Sequence, residues 1–215
     1  MIDKQKNIEE FEKLYTDYIL SREGADKLLE FIRKSDFYAA PASAKYHLAE
    51  EGGLLQHSLN VYHCLSRKAK AFPWDGILTE EKMATVACVA LLHDLCKTYF
   101  YEIDFKNQKT YDKDKVANAD GWQVKSDAKG KYIWETVPTY IYNNKLPLGH
   151  GAKSVFFIQQ FVKLTMEEIA CIYWHMGAYN LDPTNYKDMG DAMEKYPLVL
   201  ALQEADMEAT HLLEV

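Results

Sequence analysis

His93 and Asp94 end the apolar run 86–92, and Lys97 follows three positions later in "LLHDLCK". An imidazole and a carboxylate carried into such a stretch are costly to bury unless another charge compensates them. Similar side chains recur along the chain. His57 shares a helical face with Leu54, Val61, Cys64 and Leu65, so it points inward. His150 lies in the Gly-flanked "LGHG", His175 ends an apolar helical run behind Cys171 and Ile172, and Asp206 falls on one face with Val199 and Leu202. His63 and His211 lie off these faces and are expected at the surface.

Taken singly, an inward histidine is usually a hydrogen-bonded core residue, and a buried aspartate is often a cap or half of an ion pair. Six such positions on five segments, His57, His93, Asp94, His150, His175 and Asp206, point instead to a shared cation. Imidazole and carboxylate suit divalent transition metals such as Mn, Fe, Ni, Co or Zn, as one ion or two. Lys97, one helical turn past His93, is expected either to contact an anionic substrate or to stand in solvent at the helix end.

The elements that must position these groups are mainly helical. Apolar spacing predicts helices at 4–20, 25–34, 54–70, 80–96 and from 152, then one ending near Gly177 and a last one closing the chain. The helix 80–96 is apolar all round from Met83 and is expected to be central. "FPWDG" reads as a turn and Thr79 as an N-cap. Between Thr98 and Leu148 short alternating aromatic runs flank "SDAKG", which predicts a β-hairpin-rich insertion at 98–148. The expected organisation is a single domain over 1–215, with N-terminal helices in 1–35 and that insertion. Tyr99, Tyr101, Trp122 and Trp134 either stack a base over the site or form a small core of the insertion.

With 215 residues, a hydrophobic share of 48% and a net charge of −7, the chain reads as a soluble, acidic protein. The acidic balance argues against an extended nucleic-acid interface, though not against a small phosphorylated ligand. No apolar run suits a membrane span, and the charged start lacks a signal-peptide core, so a cytoplasmic location is expected. The cysteines Cys64, Cys88, Cys96 and Cys171 form no C-x-x-C pair and are expected as free thiols.

The order His57, His93-Asp94, Asp206 resembles the HD-domain superfamily of metal-dependent phosphohydrolases, whose pattern is H…HD…D on a helical bundle. "LLHDLCK" is similar to the family's "LLHDIGK", "GGLLQHSLNVY" to "GGLLEHT", and "LQEADMEAT" to the closing "H.AD", across roughly residues 40–215. His150 and His175 match two further histidines of the two-metal branch. HD domains of bacterial 3′-to-5′ exoribonucleases and small stand-alone HD hydrolases of bacteria and phages are the nearest likenesses. Gln56 stands where relatives often have Glu, and Cys96 where Gly is usual.

The resemblance implies that His57, His93, Asp94 and Asp206 hold one ion, with Asp94 bridging to a second on His150 and His175. It implies hydrolysis of a phosphate ester of a nucleotide or short nucleic acid by a metal-activated water. Asp94 and Lys97 would then be catalytic, and Lys97, His47 and Lys45 would bind substrate phosphate. Two other functions fit the same ligand set: a non-catalytic metal-containing nucleotide sensor, and a di-iron oxygenase of HD type. Composition and spacing leave the oligomeric state open.

Overall fold

A computed structural model describes residues 2–71, 80–179 and 185–214. The expected turn at 72–76 and the expected cap at Thr79 lie outside them. The described chain is mainly helical, with a small three-stranded sheet that falls inside 98–148. It divides into two compact units, Met1–Tyr101 with Asn143–Val215, and Glu102–Tyr142.

In the larger unit, α1 (Lys4–Tyr18) starts where Asp3 accepts a hydrogen bond from the Lys6 amide, and it buries Phe11 and Tyr15. Helix α2 (Ala25–Lys34) buries Leu28, Leu29 and Ile32. Helices α3 (Gly53–Ala71) and α4 (Glu80–Leu92) pack on each other. Residues 86–92 of α4 are buried without exception, so this helix forms the centre of the core. It stops at Leu92 rather than near 96; His93 and Asp94 form a turn, and a 3₁₀ turn, Leu95–Lys97, follows. The early stop has a consequence for the site. Neighbours on a continuous helix diverge by about 100°, whereas beyond the helix end the two adjacent side chains point into one space.

Helices α6 (His150–Ile158) and α7 (Met166–Trp174) pack closely. A Cβ on Gly151 would run into the carbonyl oxygens of Ile172 and Tyr173, so only glycine allows this approach. Helix α7 opens with reciprocal capping: the Thr165 amide donates to Glu168 (2.9 Å) and the Glu168 amide to the Thr165 hydroxyl (3.2 Å). The same buried Glu168 pairs with Arg22 at 2.6 Å, which ties α7 to the chain between α1 and α2. Helix α8 (Tyr186–Lys195) buries no side chain and was not foreseen from periodicity. Helix α9 (Leu198–Glu208) continues as a π-helical turn, Ala209–Leu213, and packs against α3 and α7. No helix among the described residues is long and apolar enough to cross a membrane.

The smaller unit holds β1 (Tyr101–Thr110) from Glu102 onward, a short helix α5 (Lys113–Ala117), β2 (Lys125–Asp127) and β3 (Gly130–Tyr142), in sheet order β1-β3-β2. Strands β2 and β3 form the hairpin expected at "SDAKG", with Asp127 opposite Gly130 and Lys125 opposite Tyr132. Tyr132 is its one buried side chain, with the Lys109 ammonium 4.2 Å from its ring centre. Trp122 and Trp134 are exposed, so the expected aromatic core reduces to Tyr132 and its neighbours. Tyr99 and Tyr101 belong to the larger unit.

Candidate metal centre

The proposed ligands come from separate elements, except that one turn supplies both His93 and Asp94. Before α3 the chain loops through residues 39–52, pinned by Ala42 N–H to Leu48 O (3.1 Å) and Leu54 N–H to Ala40 O (2.9 Å). Leu48 sits at φ +42°, a strained value for a branched residue, and the Ser43 hydroxyl donates to the His47 carbonyl. On α3, His57 is buried and faces inward, as its spacing requires. The turn after α4 supplies His93 and Asp94, α9 supplies Asp206, and His175 caps α7.

The distal nitrogens converge. His57 Nε2 lies 3.3 Å from His93 Nε2, 3.2 Å from Asp206 Oδ1 and 3.7 Å from Asp94 Oδ2. His93 Nε2 is 3.4 Å from Asp94 Oδ2, and His175 Nε2 is 3.6 Å from Asp94 Oδ1. Donor atoms about 2.0–2.1 Å from one ion, at right to tetrahedral angles, lie about 2.8–3.4 Å apart. The observed spacings fall in this range or a few tenths beyond it. Asp94 Oδ1 and His175 Nε2 are buried and make no hydrogen bond among the described residues. Orphaned groups at such depth are rare in folded proteins and normally signal a missing partner. The residues therefore fit a divalent cation.

The opposite ring nitrogens are occupied. His93 Nδ1 donates to Ala90 O (2.8 Å) and His175 Nδ1 to Ile172 O (2.7 Å). His57 Nδ1 meets both oxygens of Glu214 at 3.1 Å, and Asn60 Nδ2 donates to the same carboxylate at 2.8 Å. These bonds turn the three Nε2 atoms toward the common space. Sequence reasoning missed Glu214. It lies past the π-helical turn, off any apolar periodicity, so only the fold brings it to His57.

Charge is concentrated here. Burial disfavours a charged His57, but the Asp206 and Glu214 carboxylates outweigh it and raise the imidazole to about 10. Burial would push Asp94 up, yet the Lys97 ammonium and His93 hold it well below the usual carboxylate range. His47 is lowered to about 4, first by burial and then by His57 and Lys97.

Lys97 is committed rather than solvated. Its ammonium lies 2.7 Å from Asp94 Oδ2 and donates to Ala42 O at 2.6 Å. His47 stacks 5.0 Å from the His57 ring, with Nε2 4.0 Å from Glu214, so it stands behind His57. Lys45 is exposed on the same loop. His63 is exposed and pairs with Glu10, and His211 is exposed, as expected of both.

Ligand atoms fall into overlapping groups, within 4.8 Å of one another: His57 with His93 and Asp94; His93 with His175 and Asp206; Asp94 with Cys96 and His150; and His47 with His57 and Glu214. His175 thus stands with His93 and Asp206, while His150 meets Cys96, its Nδ1 3.5 Å from the sulfur. All four cysteines are free and buried.

Comparison with curated proteins gives no match, and comparison with solved structures gives none. A family model does match: the HD domain, over residues 54–208, which takes in His57, the His93-Asp94 turn, His150, His175 and Asp206. HD domains bind divalent metals and are in general metal-dependent phosphohydrolases. With that match spanning most of its length, the chain belongs to the HD-domain family.

Proposed function

We propose that this chain hydrolyses a phosphate ester of a nucleotide or short nucleic acid, with His57, His93, Asp94 and Asp206 as the primary metal ligands. The observation that supports this best is the convergence of those four side chains within 3.2–3.7 Å, beside the unpartnered Asp94 Oδ1 and His175 Nε2. A divalent ion held there supplies Lewis-acid polarisation of a phosphoryl oxygen and a more acidic water. His93, His175 and His57 are fixed in the ligating tautomer by Ala90 O, Ile172 O and Glu214. Lys97 balances Asp94, and two of its three ammonium hydrogens are taken by Asp94 and Ala42 O. The third is the one assigned to a phosphoryl oxygen, where it stabilises developing charge. His47 is neutral at pH 7 and acts as a hydrogen-bonding group, and Lys45 attracts the anion from solvent.

The test is metal analysis of the purified protein by mass spectrometry, followed by turnover of nucleoside phosphates and cyclic dinucleotides with added Mn. Bound transition metal and phosphate-ester turnover, lost in Asp94→Asn, is the expected result. Protein that takes up no metal and loses no stability with a chelator would sink the centre. Bound metal with no turnover of any phosphate ester would leave the centre and refute the hydrolase.

A further inference from the structure

The mechanism above makes no use of Cys96, although its thiol sits inside the cluster. We propose that Cys96 is itself a metal ligand, forming with Asp94 and His150 a second, mixed sulfur–nitrogen–oxygen site next to the first. This deepens the reading of the metal centre and rests on it.

Three observations carry the inference. The first is distance: Cys96 Sγ lies 3.5 Å from His150 Nδ1. A sulfur about 2.3 Å and a nitrogen about 2.0–2.1 Å from one tetrahedral ion lie about 3.5–3.6 Å apart. The second is the third ligand, since an Asp94 oxygen lies within 4.8 Å of both atoms. Asp94 is buried, and its Oδ1 has no hydrogen-bond partner among the described residues. The third is rigidity. The Cys96 amide donates to Ser154 Oγ at 3.1 Å, which fixes the 3₁₀ turn against α6, the helix that begins with His150. Cys64, Cys88 and Cys171 are equally buried but join no such group among the described residues.

The chemistry follows from the donor. On binding, the Cys96 thiol gives its proton to solvent and its sulfur lone pair to the ion, with no change in oxidation state. A thiolate is soft, so this site favours Zn, Fe or Co over Mn or Mg, whereas the neighbouring His/Asp set accepts the harder ions as well. The two positions would then differ in metal preference.

Cobalt(II) is the probe, because thiolate ligation gives a near-ultraviolet sulfur-to-cobalt charge-transfer band that imidazole and carboxylate do not. Titration of the wild-type protein is expected to give two bound ions per chain, the band growing with one of them. Cys96→Ser is expected to lose the band, keep the other ion, and bind the second at least about tenfold more weakly. His150→Ala, which leaves every thiol in place, is expected to lose the same ion and band. Bound cobalt without the band in the wild type, or a band that persists in Cys96→Ser, overturns the assignment; the wild-type spectrum decides even if a variant fails to fold. Protein that binds no cobalt overturns both this inference and the metal centre. The full band with no phosphate-ester turnover removes only the hydrolase reading.

Discussion

Replacing Glu214 tests the centre without touching a proposed ligand. Its carboxylate is buried, meets His57 Nδ1 with both oxygens at 3.1 Å, and is held by Asn60. Removing such an outer partner of a metal-bound histidine costs about 10–100-fold in affinity. Glu214→Gln retains an amide acceptor and should fall near the lower figure, Glu214→Ala near the upper. Together with Asp206, the same carboxylate also raises the proton affinity of His57, to about 10. Below that value a proton competes with the ion, so wild-type affinity should climb about tenfold per pH unit as pH rises. In the variants the proton is held less tightly and the climb flattens earlier. The defect is therefore small near pH 7, where weaker proton competition offsets weaker ligation, and widens through pH 8 and 9 toward the full 10–100-fold, which is reached only above about pH 10. Chelator-competition titrations of Zn at pH 7, 8 and 9 read this directly. Glu204→Gln, which changes an exposed acid of α9 paired with Lys68, is the control and should follow the wild type. Variant curves that superimpose on the wild type at all three pH values would refute the role of Glu214.

Chelation of the loaded protein should lower its melting temperature by roughly 5–10 °C, since ligand at about 100 times its Kd contributes about 2.7 kcal/mol and each kcal/mol is about 2–4 °C at this size; scanning calorimetry with and without chelator checks it. The metal-free protein should lose stability as pH rises from 7 to 10. His57 has a folded value raised to about 10, so its contribution is complete below about 6.5, the unfolded value, and is lost as pH rises through the folded one. Urea titrations across that range should show the fall, and a rise instead would contradict the His57–Asp206–Glu214 pairing. Arg22→Ala strands the buried Glu168 and should cost about 3–5 kcal/mol in urea unfolding, with metal stoichiometry unchanged.

Periodicity was a good guide wherever a helix has one buried face. His57 was legible because its i−3, i+4 and i+7 neighbours are apolar, Asp206 because Leu202 and Val199 stand at i−4 and i−7, and α4 because it is apolar throughout. It failed at the end of α4, because the apolar composition continues through Leu95 and Cys96 although the helix does not. It also missed α8, which buries nothing and so leaves no pattern. In the insertion, alternation predicted strands correctly, but the aromatic residues behind the expected core are largely exposed, since a single three-stranded sheet has few faces to bury them.

Taken alone, the sequence determined the helical class, the order of H…HD…D and the identity of the buried acids and imidazoles, because these are fixed by residue type and local spacing. Tertiary structure decided how the groups are shared. Three segments far apart in the chain bring Nε2 of His57, the His93-Asp94 turn and Asp206 together. Lys97 is turned onto Asp94 and Ala42 O, and Glu214 is delivered behind His57. His150 is set against Cys96 while His175 stands with His93 and Asp206. The physical reason is that a ligand set is defined by directions of side chains from separate elements, and those directions exist only once α3, the turn after α4, α6, α7 and α9 are packed on one another.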